Sequence, residues 1–232
     1  MNVVITGGSK GIGKAIAMKF AQKGHNIAIC ARNEEQLKKT EQEINQTYPL
    51  IDTIICTADL SDNNEVQKLK KAILTKWDKI DVLINNAGIF IAGRIRNEAA
   101  DTLPNLIENN LYSAYYVTKA LLPSILLSQQ KHIFNICSIA SLGAYANGSS
   151  YSISKFAMLG FSKNLREELK EEQVKVTAIL PGPTLTESWE GENIDKSQFV
   201  STDDIASTIY HATTLESNAL VDEIIIRPVK GQ

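Results

Sequence analysis

The chain has 232 residues, 44% of them hydrophobic and 22% charged, a balance that suits one α/β domain and argues against long disordered stretches. Its 24 basic and 26 acidic side chains leave a formal charge of −2, without the basic excess that a nucleic-acid backbone demands. No run approaches the roughly 20 apolar residues of a membrane span, and the first strand-like run opens at Asn2, so a cytoplasmic protein without a leader, a membrane or a nucleic-acid partner is expected.

In chain order, the β-branched runs NVVIT, NIAICA, TIICTA, DVLIN, HIFNICS, KVTAIL and DEIIIR alternate with amphipathic stretches. Residues 11–24, 33–47, 62–77, 102–128, 151–172 and 202–215 read as helices. Asp62 with Glu65 spells a capping box, and Thr102 ahead of Pro104 marks the start of the longest helix. Nearly continuous apolar strands belong in a parallel sheet covered on both faces, which right-handed crossovers supply. The expected architecture is a three-layer, doubly wound α/β fold of Rossmann type with a seven-stranded parallel sheet, spanning residues 1–232 as one domain.

Cys30, Cys56 and Cys137 each close an apolar run and read as buried, reduced thiols. His25, His132 and His211 lack ligand spacing, so no metal is expected.

TGGSKGIG, Thr6 to Gly13, falls between the first strand and the first helix, where a dinucleotide loop belongs. Gly7, Gly11 and Gly13 let the backbone approach a pyrophosphate, and the helix that follows turns its positive end toward it. After the second strand stand Ala31 and Arg32, where a site for NAD would usually offer a carboxylate to the ribose. Arg32 and Lys10 are either solvated cations or partners for the 2′-phosphate of NADP, which favours NADP over NAD. Asp59 either accepts from an adenine amine or serves as a turn aspartate. In NNAG, Asn85 to Gly88, paired asparagines can tie neighbouring loops.

Tyr151 and Lys155, four residues apart, share a helix face with Cβ atoms about 6 Å apart. An ammonium there would favour the phenolate and make Tyr151 a workable acid and base, although such a pair is also common on ordinary helices. Ser138 closes the strand HIFNICS, thirteen residues earlier, and could hold a carbonyl oxygen near the phenol or simply satisfy backbone groups. Asn109 and Asn110 both fall inside the helix expected over 102–128, where an asparagine is intrinsically unfavourable.

Together, T-G-x-x-x-G-x-G, Asp59, N-N-A-G, Asn110, Ser138, Y-x-x-x-K, Pro181, Gly182 and Thr186 resemble the short-chain dehydrogenase/reductase family over nearly the whole chain. The resemblance implies an oxidoreductase that reduces a small carbonyl compound with NADPH. Tyr151 would be the proton donor, Lys155 would lower its pKa and bind the nicotinamide ribose, Ser138 would orient the carbonyl, and Asn110 would hold a water in a proton relay. Cofactor contacts are implied for Gly7, Ser9, Lys10, Gly11, Ile12, Gly13, Arg32, Asp59, Leu60, Asn86, Ala87, Gly88, Tyr151, Lys155, Pro181, Gly182, Thr184 and Thr186. Cys137, Ser141 and Thr184 depart from common family choices in ways expected to alter packing rather than chemistry. The ending IIIRPVKGQ resembles the tails of sepiapterin reductase-like and carbonyl or hydroxy-acid reductases.

Substrate choice is expected from loops 88–100, 141–150 and 183–200, which carry Phe90, Leu142, Tyr145, Trp189 and Phe199. Residues 187–200 read as a small lid. The resemblance implies a homodimer or homotetramer built on helices 102–128 and 151–172. The rival from another class is an NADP-binding sensor or scaffold with little turnover.

Overall fold

Val3, Val4 and Ile5 have no solvent exposure, although alternate residues of a strand point to opposite faces. The first strand is therefore covered on both sides. The computed structural model describes residues 1–186 and 195–230. Its strands are β1 (Asn2–Thr6), β2 (Asn26–Ala31), β3 (Thr53–Thr57), β4 (Val82–Asn85), β5 (His132–Ile136), β6 (Lys175–Pro181), β7 (Thr184–Leu185), β8 (Val200–Ser201) and β9 (Glu223–Ile226). Seven of them form one parallel sheet in the order β3-β2-β1-β4-β5-β6-β9, with Val4 opposite Ala28 on one side and Leu83 on the other.

One face carries α1 (Gly11–Gln22), α2 (Glu34–Thr47) and α7 (Thr202–Thr213), whose Ile16, Phe20, Leu37 and Ile209 pack with Val3, Ile5 and Ile27. The other carries α3 (Asn63–Leu74), α5 (Ser113–Leu126) and α6 (Ser149–Glu168), whose Leu69, Val117 and Leu165 pack with Val4, Ala28 and Leu83. Each such fully buried side chain contributes about 1.5–3 kcal/mol relative to exposure. The expected three-layer, doubly wound sheet is what forms.

From β1 the chain winds outward to β3, then crosses back to β4 and winds the other way. The reversal opens a crevice at the carboxyl ends of β1 and β4, the place where such sheets take their ligands. Thr6, Asn85 and Ile136 end the strands around it.

Several elements differ from expectation. Residues 102–128 form α4 (Thr102–Ile107), a π-helical turn over Glu108–Tyr112, and then α5. Apolar periodicity does not register the one extra residue that such a turn inserts. The run HIFNICS stops being a strand at Ile136, and Ser138 instead caps a short 3₁₀ turn, Ile139–Ser141. Asp62 caps α3 through the Asn64 amide, whereas Glu65 turns to Lys68 instead of completing the box. Cys30 and Cys137 are buried, while Cys56 is only half-buried because β3 lies at the sheet's edge. The parallel pair β7·β8, with Thr184 opposite Val200 and Leu185 opposite Ser201, is too short to read from sequence. Trp189 and most of the expected lid lie outside the described residues.

Candidate active site

The phosphate end is set mainly by backbone. Gly7 has φ +66° and Gly11 has φ +54°, left-handed values that glycine adopts without strain. At Gly13 the reason is space, since a Cβ would stand 2.2 Å from the Gly7 carbonyl oxygen. Thr6 Oγ1 accepts from the amides of Asn86 and Ala87, each at 2.9 Å. In return Asn86 Nδ2 donates to the carbonyls of Thr6 at 2.9 Å and Gly7 at 3.2 Å. Asn85 Nδ2 reaches Thr118 Oγ1 and Asn135 Oδ1, both at 2.9 Å. Asn86 thus ties the glycine loop as expected, whereas Asn85 joins β4 to α5 and β5 instead, and Thr6 is the knot that sequence reasoning left without a role.

Helix α1 begins at Gly11, directly after the glycine loop that follows β1, with no side-chain cap from Lys10. Ile12 packs into the apolar layer and Leu60 is buried in the opposite one, which leaves only their backbones for a ligand. Ser9 gives its carbonyl to Thr40 Oγ1 at 3.0 Å.

Beyond β2, exposed Arg32 donates from Nη1 to Asn109 Oδ1 at 3.4 Å and stands 4.0 Å from Asp59 Oδ2. Asp59 Oδ1 accepts from the Ser61 amide at 3.0 Å and the Ser61 hydroxyl at 2.7 Å. Those two bonds are the ones a turn aspartate makes. Burial opposes its ionisation, but the Ser61 bonds and then Arg32 hold the carboxyl below its ordinary value.

The reacting end is built from side chains. In the π-helical turn Asn110 is buried; its Oδ1 accepts from the Ile89 amide at 2.7 Å, and its Nδ2 donates to the Ile89 carbonyl at 3.0 Å and Ser154 Oγ at 2.9 Å. Ser154 donates in turn to the Tyr151 carbonyl at 2.7 Å. A Cβ on Gly88 would lie 2.8 Å from Asn110 Oδ1 and 3.8 Å from Lys155 Nζ, so these three residues converge. Ser138 Oγ accepts from the Ala140 amide at 3.1 Å, and its hydroxyl is near enough to the Tyr151 phenol to favour the phenolate.

Lys155 is buried on the same face of α6 as Tyr151. Its Nζ donates to the Ile136 carbonyl at 3.0 Å and sits 5.9 Å from the Tyr151 ring centre. Burial raises the phenol above its ordinary value, the Ser138 hydrogen bond opposes that rise, and the Cys137 thiol adds to it. Burial likewise lowers the Lys155 ammonium, with Cys137 opposing. One of the three ammonium donors is thus taken by the Ile136 carbonyl.

Around Tyr151, Phe90 meets the ring edge-on with centroids 4.8 Å apart, and Tyr145 is close enough that the Tyr151 phenol, after burial, raises its own. Phe90, Leu142 and Tyr145 are 57%, 42% and 46% exposed, an apolar rim to the crevice rather than core. Pro181 ends β6, the Gly182 amide donates to the Ile226 carbonyl at 2.8 Å, and Thr184 Oγ1 donates to the Gly182 carbonyl at 2.9 Å. Thr186 is half-buried beside the first residue outside the description. Among the described residues no group of His, Cys, Asp and Glu could hold a metal ion, and no helix is long and apolar enough to cross a membrane.

A sheet whose switch point has a glycine cradle at one side and a phenol, a hydroxyl and an ammonium at the other is the working plan of a dinucleotide-dependent oxidoreductase. The short chain dehydrogenase model matches residues 1–197, and the chain belongs to that family. It is 32% identical to a sepiapterin reductase of Chlorobaculum tepidum, covering 99% of this chain and 96% of that one. An alcohol dehydrogenase from the archaeon Thermococcus sibiricus, complexed with 5-hydroxy-NADP, superposes with a TM-score of 0.91 at 25% identity, covering 100% and 97% of the two chains. A metagenomic short-chain oxidoreductase in complex with NADP gives 0.84 at 29% identity, covering 99% and 97%.

Proposed function

We propose that the protein reduces a small carbonyl compound to an alcohol using NADPH, with Tyr151 as the proton donor. The observation that carries this reading is the convergence of Asn110, Ser138, Tyr151 and Lys155 on one crevice from three separate elements. Gly7, Gly13 and Gly88 leave room where any Cβ would intrude, a cradle that fits a dinucleotide. NADPH would supply the hydride when bound. Arg32 and Lys10 would meet its 2′-phosphate, and the solved relatives that carry NADP or a derivative support that choice over NAD.

Within this reading Ser138 donates to the carbonyl oxygen while Tyr151 gives up its proton. A phenol held above its ordinary value by burial remains protonated through neutral pH, which suits the acid in the reducing direction. Asn110, fixed at both ends of its amide, holds its relay position, and Lys155 lies beside it next to Gly88. The apolar rim of Phe90, Leu142 and Tyr145 suits an uncharged carbonyl substrate. Roughly half-exposed Tyr112, Tyr115, Ile153 and Phe156 on the turn before α5, α5 and α6 suit a subunit contact, which light scattering of the purified protein would test.

The test is NADPH oxidation over diketones, quinones, pterins and keto esters, run beside the same panel with NADH. Turnover with NADPH on some members is expected. NADPH binding without oxidation on any member would favour a sensor or scaffold.

A further inference from the structure

Helix α6, twenty residues long, starts at Ser149 behind Gly148, which has no side chain with which to cap it. Its opening amides find partners in a loop more than fifty residues earlier. The Ser149 amide donates to the Gly93 carbonyl at 3.4 Å and the Ser150 amide to Glu98 Oε1 at 3.2 Å. The Ser150 hydroxyl donates to Glu98 Oε2. One carboxylate thus caps the first turn with both oxygens and sets a negative charge against the positive end of the helix.

The loop is clasped to its neighbour on either side of that contact. The Gly93 amide donates to the Asn147 carbonyl at 2.8 Å, Arg94 Nε to Asn147 Oδ1 at 2.8 Å, and the Ile95 amide to Ser149 Oγ at 3.2 Å. Asn147 is held at φ +72°, the left-handed region that asparagine tolerates better than most residues. Gly93 is needed for the approach, because a Cβ there would stand 2.8 Å from Glu98 Cγ. Tyr151 follows Ser150 directly, and Phe90 of the same loop rests against its ring.

We propose that Glu98 is a positioning residue for the proton donor: by capping α6 from the substrate loop it fixes where the Tyr151 phenol stands against Ser138. The inference rests on Tyr151 being that donor. Because the loop that would meet the substrate also anchors the catalytic helix, a substrate that displaces residues 93–98 also displaces the acid. A merely structural cap would affect folding but leave the phenol's setting and the balance of kcat and KM alone.

Glu98→Ala removes the cap, Glu98→Gln keeps an accepting oxygen of the same reach without the charge, and Ser150→Ala deletes one bond. Two readouts follow, one of them independent of turnover. In protein carrying 13Cζ-labelled tyrosine, the Tyr151 signal is assigned by its loss in Tyr151→Phe and titrated in the alkaline range. Lys155, Cys137 and Tyr145, the titratable groups about the phenol, are unchanged in every variant. The Tyr151 midpoint is expected to fall toward free tyrosine in Glu98→Ala and to stay near wild type in Glu98→Gln.

In NADPH oxidation with phenanthrenequinone, kcat is expected to fall about 10- to 100-fold in Glu98→Ala with the NADPH dissociation constant within about threefold, and to recover in Glu98→Gln. An unmoved Tyr151 titration in Glu98→Ala overturns the proposal, as does Glu98→Gln behaving like Glu98→Ala, which would make the effect one of charge. If Glu98→Ala does not fold, a wild-type titration in Ser150→Ala overturns it and a lowered midpoint there supports it. Full turnover by Tyr151→Phe would overturn the reading of the proton donor itself, whereas loss there with wild-type behaviour in Glu98→Ala overturns only the role of Glu98.

Discussion

The two ends of the crevice are held by different means. At the phosphate end, glycine conformations and the hydrogen bonds among Thr6, Asn86 and the glycine loop fix the backbone directly on the ends of β1 and β4. At the reacting end, position depends on chains of side chains: Asn110 to Ser154 to the Tyr151 carbonyl, and Glu98 to Ser150. A backbone cradle has little freedom to be misplaced, whereas a side-chain network fails bond by bond. Damage to the first should therefore appear as lost cofactor binding, and damage to the second as lost turnover with binding kept.

The largest separation is expected from Asn110→Leu, which strands both polar groups of Ile89 and takes from Ser154 Oγ the donor it accepts from. Steady-state kinetics should show kcat down about 100-fold, with NADPH binding changed much less. The converse is Gly13→Ala, whose Cβ would meet the Gly7 carbonyl oxygen at 2.2 Å. Overpacking of about 1–3 kcal/mol should weaken NADPH binding about tenfold or more by fluorescence titration. A Gly13→Ala protein that binds normally and turns over slowly would break the division between the ends.

Arg32→Asp should act within the phosphate end alone, lowering the preference for NADPH over NADH roughly tenfold while the better cofactor still supports turnover. The smallest effect on function is expected from His132→Gln, at the opposite end of β5 from the crevice. Burial, and next the Lys175 charge, hold the His132 imidazole down to about 3 from 6.5. Between those values the unfolded chain binds a proton that the folded chain refuses, so this contribution is whole above pH 6.5 and is lost as pH falls through the window. His25 is lowered too and adds in the same sense. Urea midpoints at pH 7 and pH 5 should differ less in His132→Gln, by about 2 kcal/mol of unfolding free energy, with NADPH binding unaltered.

The same contrast governs what could be read from sequence. The first two strands follow their apolar runs residue for residue, because burial on both faces leaves a continuous signal. The glycine loop and NNAG were legible as motifs, although the bonds that Asn85 and Asn86 make cross 33 to 80 residues of sequence. Asn110 stood out beside Asn109 through the family resemblance, but the π-helical turn that aims it inward did not, since one inserted residue leaves the apolar pattern intact. Lys155 was recognisable as a partner in spacing, yet its bond to the Ile136 carbonyl depends on a strand end brought alongside by the fold. Glu98 had no signal at all, because its partner lies 52 residues away.

The most direct measurement is stopped-flow NADPH oxidation by wild type and Tyr151→Phe, paired with NADPH titration of both proteins. Turnover in Tyr151→Phe is expected to fall by roughly a thousandfold, with the NADPH dissociation constant within about threefold of wild type. Undiminished turnover in Tyr151→Phe would contradict a proton supplied by Tyr151.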